Sequence, residues 1–544
     1  MKNRIFVVFI LVISAIMMFC GVGDADLLSV IPKMAAVEDD SYSISLRFAD
    51  ARKLIEDLYP YKLFEALEPL SSDLGLDSLV NMNNIVKALT KSNIREFASL
   101  IVMNSYSELR DGGVIISVPD SKSALDEVSI SGELTLYNLV IMIGGVQLLE
   151  AIKAADDSFE DYVFMRDRNG VFYYKNNYIC IDGDRIISFE TKEATLSVAD
   201  AVRAGVDTKT TDFESPNILL IHIPKVIAET AENIKAEIGF LYENSTWKIK
   251  TKSNVFRLMS GIGVIESETL ERPQIALNTI PIVGRGKPFF SAGGNTFIDG
   301  ADSIEERLMN LGDMVLTLNW ATFLQIAQQY GISKKDIGNL FASSVAVVFG
   351  LDSKFFEIPM PLGGYIAFTG KNNAASKIIG AISKSTAETG VMTESEIFGW
   401  DKVFSISIDP LVPNALIAQS GETLLIGVLN PEDLIIKLDI NEIGLPDEKI
   451  ISWINFSPEK VWKAVRKAYI PLSVLLFSGA FGDVSNSEKE AVRFAQKLLN
   501  TDLPIKWFNI CVPSLEEVDI NIAINPNPLG DFWKVLFMWL VKVM

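Results

Sequence analysis

The sequence predicts an α+β protein made of two similar domains from an internal duplication, each with a mostly antiparallel sheet packed by helices. Three observations carry that expectation. A short strand that breaks directly into a helix is readable four times: Leu46-Arg47-Phe48-Ala49-Asp50, Ile221-His222-Ile223-Pro224-Lys225, Leu318-Asn319-Trp320-Ala321-Thr322 and Ile454-Asn455-Phe456-Ser457-Pro458. Two glycine-turn hairpins, around Asp182-Gly183-Asp184 and Ser420-Gly421-Glu422, align without a gap. One order of elements then reads twice, over residues 40–277 and 313–525: strand–helix, strand–Gly–helix, hairpin–helix, strand–helix, closing strands.

Each opener sets one polar side chain between apolar ones, the period-two signature of a strand with one buried face. Each then meets Asp50, Pro224, Thr322 or Ser457-Pro458. Asp, Thr and Ser cap a first helical turn, and Pro tolerates its first position. A further helix is expected near 85–97. Residues 134–143 are apolar on both faces and read as a buried central strand, stopped at Gly144-Gly145 and followed by a helix to Ala155. The matching passage is Tyr365 to Thr369 as strand, Gly370 as break and 374–383 as helix. In the hairpins, Asp-Gly and Ser-Gly supply the positive φ that a tight turn demands. Helices are expected after them, at Thr191-Lys192-Glu193 and Asn430-Pro431-Glu432-Asp433.

This gives a first domain at 26–280, a Gly/Pro-rich linker with a connecting helix at 281–312, a second domain at 313–530 and an apolar C-terminal helix at 531–544. Ser303-Ile304-Glu305-Glu306 reads as the capping box of the connecting helix. At 544 residues the chain exceeds what one core serves.

Residues 1–25 read as a signal peptide. Lys2 and Arg4 precede the apolar run 5–20, and the small residues Gly21, Gly23 and Ala25 follow it. A retained anchor and lipidation at Cys20 are the alternatives. Export places the protein in the periplasm or at the cell surface. The formal charge of −20 repels phosphate backbones, so nucleic acid is not an expected partner. Three cysteines cannot make a disulfide-stapled scaffold, and whether Cys180 and Cys511 pair is not legible.

His222, the one histidine, fills the polar slot that Arg47, Asn319 and Asn455 fill in the other openers, which argues for a structural role. Ser457-Pro458-Glu459-Lys460 matches the Ser-x-x-Lys pattern of serine hydrolases, but so does Ser245-Thr246-Trp247-Lys248; Ser457 is expected as a helix cap. Gly284-Arg285-Gly286-Lys287 lacks the spacing of a phosphate loop and reads as linker. Asp156, Asp157, Glu160 and Asp161, and Asp299 with Asp302, lack the alternating ligands of a calcium loop. No catalytic, cofactor-binding or metal residues are assigned, and no cofactor is expected.

Two apolar stretches stand outside the repeat, 470–481 and the C-terminus. The latter carries Phe532, Trp533, Phe537 and Trp539, a set suited either to docking on its own domain or to peripheral membrane contact.

With its signal-like start, strand–helix openers and hairpins at Gly183 and Gly421, the chain resembles exported bacterial proteins of unknown function with duplicated α+β halves. The resemblance implies a fold and an address and supplies no catalytic residues. The expected function is that of a non-enzymatic cell-envelope protein acting as a binding or scaffolding module for a protein partner. A carrier of lipid or another apolar ligand is the alternative, and a serine hydrolase using Ser457 and Lys460 is the least favoured.

Overall fold

The computed structural model describes residues 41–48, 50–58, 78–104, 109–155, 159–203, 218–223, 233–254, 275–276, 282–295, 301–310, 312, 314–355, 358–406, 414–438, 449–477, 486–514, 516–525, 532 and 535. The leader 1–25, Asp156, Asp157, Asp299 and most of 531–544, including Trp533, Phe537 and Trp539, lie outside them. The fold is α+β, and its strands pair antiparallel throughout. Packing divides the chain into two compact units: the first draws on 1–265, 472–505 and 523–544, the second on 266–471 and 506–522.

In the first unit the elements run β1 (Ser41–Phe48), α1 (Ala51–Leu58), α2 (Ser78–Leu89), β2 (Phe97–Asn104), β3 (Leu109–Ser117), α3 (Lys122–Ser131), β4 (Leu134–Thr135), α4 (Leu136–Ala155), β5 (Val163–Arg166), β6 (Phe172–Tyr174), β7 (Asn177–Asp182), β8 (Arg185–Phe189), α5 (Lys192–Arg203), β9 (Ile218–Ile223), β10 (Ile234–Glu243) and β11 (Thr246–Ser253). Hydrogen bonding orders the strands β5-β6-β7-β8-β3-β2-β1-β9-β10-β11. Because side chains alternate across a strand, one face presents Phe48, Phe97, Val114, Ile116, Ile179 and Ile186. Residues of α1 to α4 pack on it. The other face presents Ala98, Ile115, Ile187 and Cys180, covered by Ala194, Val198 and Ala199 of α5.

The second unit contains β12 (Ile275–Ala276), β13 (Phe290–Asn295), α6 (Ala301–Asn310), α7 (Met314–Gln329), α8 (Lys334–Leu340), β14 (Ser344–Phe355), β15 (Ile358–Thr369), α9 (Ala374–Thr389), β16 (Thr393–Ser395), β17 (Lys402–Ile406), β18 (Ala415–Ser420), β19 (Thr423–Val428), a 3₁₀ turn (Pro431–Ile435), β20 (Lys449–Ile450) and β21 (Ser452–Phe456). The chain continues through α10 (Pro458–Phe477), α11 (Asn486–Leu499), which falls in the first unit, β22 (Ile505–Ser514) and β23 (Glu517–Ile524). Its main sheet is ordered β16-β17-β18-β19-β15-β14-β13-β21-β22, and β12 pairs with β20. One face carries Ala346, Val348, Tyr365, Ala367, Leu425 and Trp453, under Ile282, Val283, Leu429 and Leu434. The opposite face is covered in part by Leu340 of α8 and Ala374, Ala375 and Ile379 of α9.

Both predicted hairpins form, with Gly183 at φ 62° and Gly421 at φ 55°. The strand ending at Thr369 and the helix after it are also present. Several expectations change: the helix expected near 85–97 ends at Leu89, with β2 starting at Phe97, and Ser303 lies inside α6 rather than ahead of it. Leu318-Asn319-Trp320-Ala321-Thr322 is no strand–helix opener; it lies inside α7, where Thr322 Oγ1 donates to the Leu318 carbonyl one turn back at 3.0 Å. Residues 136–143 are helical, leaving only Leu134–Thr135 as strand, because the apolar run belongs to the buried helix α4, broken at Gly145 (φ 70°, ψ −175°). The 281–312 stretch, expected as linker and connecting helix, does hold a helix (α6), but it also holds β13, paired on both sides by β14 and β21.

The glycines of β13 made it look like a loop, and packing explains them. A Cβ on Gly293 would stand 2.3 Å from the Trp453 ring, and one on Gly294 would stand 2.4 Å from the Ile451 carbonyl oxygen. Glycine inside a strand marks such close approach.

Candidate functional site

The singled-out residues are scattered by the fold. His222 lies in β9, opposite Ser43 and Lys235. Burial, and then the Lys235 ammonium, hold its imidazole below the usual 6.5. As the chain's one histidine, it should give a single imidazole C2–H resonance in an NMR titration, with a midpoint below 6.5; a midpoint at or above 6.5 contradicts this placement.

Ser457 precedes α10 as expected, and its hydroxyl donates to the Lys506 carbonyl at 3.0 Å. Lys460 Nζ donates to the Lys287 carbonyl. Ser245 sits in the β10–β11 turn at φ 61°. The Gly284–Lys287 stretch is pinned: Arg285 binds the buried Asp433 at 3.2 Å, and a Cβ on Gly286 would strike the Asp352 carboxylate at 2.2 Å. Those carboxylates oppose an anion there. Asp161 accepts the Tyr137 N–H at the start of α4 at 2.9 Å, and Asp302 pairs with Lys334. Cys180 and Cys511 are both buried thiols.

One acidic group outside those read from the sequence is strongly perturbed. Asp336, at the start of α8, accepts from Lys377 Nζ at 2.5 Å and from the Ser333 hydroxyl and N–H in a capping box. These partners pull its carboxyl down to about 2 against burial. A depressed carboxylate stabilises the fold above its unfolded value of 3.8, and the contribution fades as pH falls through about 2. Lys377 is 55% exposed, so screening holds the worth to ~1–2 kcal/mol. Asp336→Asn should lower stability by about that much at pH 7 and by only a small part of it near pH 2, checked by urea melts at both.

The most conspicuous surface lies on the second sheet, on the face that α8 and α9 cover only in part. Beyond Phe368, which packs with them, the register places Ile366, Val347, Ala292, Ile454 and Ile510 side by side on five strands. The next row on that face is Gly364, Phe349, Phe290, Phe456 and Phe508. Neighbouring rings in it are 6.4, 6.5 and 5.7 Å apart, stacked or edge-on. Ile426 and Val428 extend the two rows onto β19. None of these positions is charged, and Phe349, Ile426, Val428 and Ile454 stay 37–43% exposed. Five strands span ~19 Å.

The helix α7 is a second apolar surface of the same unit. It has no charged residue, and Leu318, Phe323 and Ile326 are at least half exposed.

The opposite face of this sheet holds an unusual buried row. Ser291, Asn455 and Asn509 oppose one another on β13, β21 and β22, all within the apolar core face. Ser291 and Asn509 are fully buried, and Asn455 is 5% exposed. Among the described residues, Ser291 Oγ and both amide atoms of Asn509 find no hydrogen-bond partner; nor does Trp453 Nε1, two residues from Asn455. Each such group costs ~1–3 kcal/mol, a heavy sum against a total stability of ~5–15 kcal/mol.

A scan against protein-family models and searches of curated proteins and of solved structures found no match.

Proposed function

We propose that the chain is an exported, non-enzymatic protein of the cell envelope, periplasmic or at the cell surface, acting as a binding or scaffolding module. The observation that carries the reading is the aromatic sheet face of the second unit, with Phe349, Phe290, Phe456 and Phe508 in one line. Aromatic anchors without charge are what the core of a protein interface is made of. An open sheet face suits a protein surface better than an acyl chain, which binds in concave, largely enclosing sites. For that reason the apolar-ligand carrier is the second reading. The address rests on the charged start and apolar run of residues 1–20.

The two units are proposed to descend from one duplicated ancestor. Strand order supports this: β7-β8-β3-β2-β1-β9-β10 in the first matches β18-β19-β15-β14-β13-β21-β22 in the second. Stepping from Gly183 and Gly421 through the registers, the row Cys180–Ile187–Ile115–Ala98–Arg47–Ile218 corresponds to Ala418–Leu425–Ala367–Ala346–Gly293–Trp453. Within it, large Arg47 faces Ile218, whereas small Gly293 faces large Trp453. Volume is exchanged between partner strands, as it is when a core is repacked at constant space.

The test is native fractionation of the envelope. The chain should migrate in a complex larger than a monomer, and a Phe349→Lys/Ile454→Lys variant as a monomer. A wild-type chain that migrates as a monomer in gently solubilised envelope would contradict the reading.

A further inference from the structure

We propose that the row Ser291–Asn455–Asn509 is a buried binding site for a small neutral hydrogen-bonding guest, ordered water being the smallest member of that class. Three polar side chains in directly opposed positions, each at least 95% hidden, stand on an otherwise apolar sheet face. Asn509 offers two donor hydrogens and an acceptor oxygen, and Ser291 a hydroxyl, none of which is engaged by the described protein. Following the register, the first-unit counterpart of Asn455 is Leu220, flanked by Ser45 and Glu237, where Asn455 is flanked by Ser291 and Asn509.

The chemistry of the row limits the guest. The adjoining positions on the same face are Val348, Gly293, Trp453 and Cys511, so an ion would lose its water with no opposite charge to meet. A neutral group that both donates and accepts fits the Asn509 amide, as water does, or the amide or hydroxyl of a small molecule.

Substitution distinguishes a filled row from a bare one. If the polar atoms are bare, an apolar replacement removes a penalty and raises the melting temperature; if they hold a guest, it breaks hydrogen bonds and lowers it. Asn509→Leu in the full chain should melt about 3–8 °C lower than wild type. A leucine can also overpack the strand, so Ser291→Ala, which only deletes a hydroxyl, is measured beside it and should fall by about 2–4 °C. A rise or no change in Ser291→Ala overturns the proposal. A high-resolution crystal structure should show density joined to Ser291 Oγ and the Asn509 amide, and its absence is equally fatal. Native mass spectrometry of the same preparation separates the sources: the mass of the chain alone identifies water, and added mass identifies a retained small molecule.

Discussion

Trp453→Ala should lower the stability of the second unit by ~3–5 kcal/mol, the range for emptying a large aromatic from a packed core. Trp453 is the largest fully buried side chain, 1% exposed, and its ring lies over Gly293 on β13 while its strand pairs with Cys511 on β22. Three strands therefore meet at one indole. The loss should appear in calorimetry as a drop of roughly 6–20 °C in the transition of this unit. Gly293→Val offers the reciprocal lesion, because its new side chain would occupy space the ring already fills at 2.3 Å. The two changes together should be less damaging than the sum of each alone, since the added valine partly fills the cavity. A loss under ~1 kcal/mol for Trp453→Ala would mean that the ring does not hold these strands together.

The second large effect is on binding rather than stability. Phe349→Lys/Ile454→Lys should markedly lower fluorescence of an apolar-surface dye such as bis-ANS on the folded protein, while costing less than ~1 kcal/mol of stability. Both side chains are 43% exposed, so long lysines can reach water from these positions. A single pair suffices because the two lie in adjacent rows on β14 and β21, the strands on either side of β13, and charge there interrupts both rows. Dye binding equal to wild type would place the accessible apolar surface elsewhere, α7 being the next candidate. Leu318→Lys and Ile326→Lys on that helix then give the matching control.

Part of this fold was legible in the sequence, and the rest was not, for physical reasons. The hairpins at Gly183 and Gly421 could be read because positive φ in a two-residue turn leaves few residue choices, and both glycines adopt it. The strand of Leu318-Asn319-Trp320 was a misreading of three residues that alternate in polarity within a helix; sixteen residues without Gly, Pro or charge were the stronger signal. Residues 136–143 failed similarly, since a doubly buried strand and a core helix are both continuously apolar. Ser291-Ala292-Gly293-Gly294 reads as a loop because the partner that requires those glycines, Trp453, is remote in sequence.

The candidate site was hidden by the same distance. Phe290, Phe349, Phe456 and Phe508 become a row only through pairings of four strands that local periodicity does not reveal. The sequence had pointed to the apolar segments 470–481 and 531–544 for hydrophobic contact. Of these, 470–477 continues α10 as one helix. Asn455 did stand out, as the polar slot of an opener. Its meaning changed once Asn509 appeared opposite it.

The measurement that tests the account most directly is photocrosslinking inside the native envelope, with a benzophenone side chain placed at Ile454 and, as control, at the exposed Glu394 of β16. The account predicts a discrete protein adduct from position 454 that disappears when Phe349 is changed to lysine, and none from 394. Equal adducts from both positions, or an adduct at 454 that the lysine leaves intact, would contradict it.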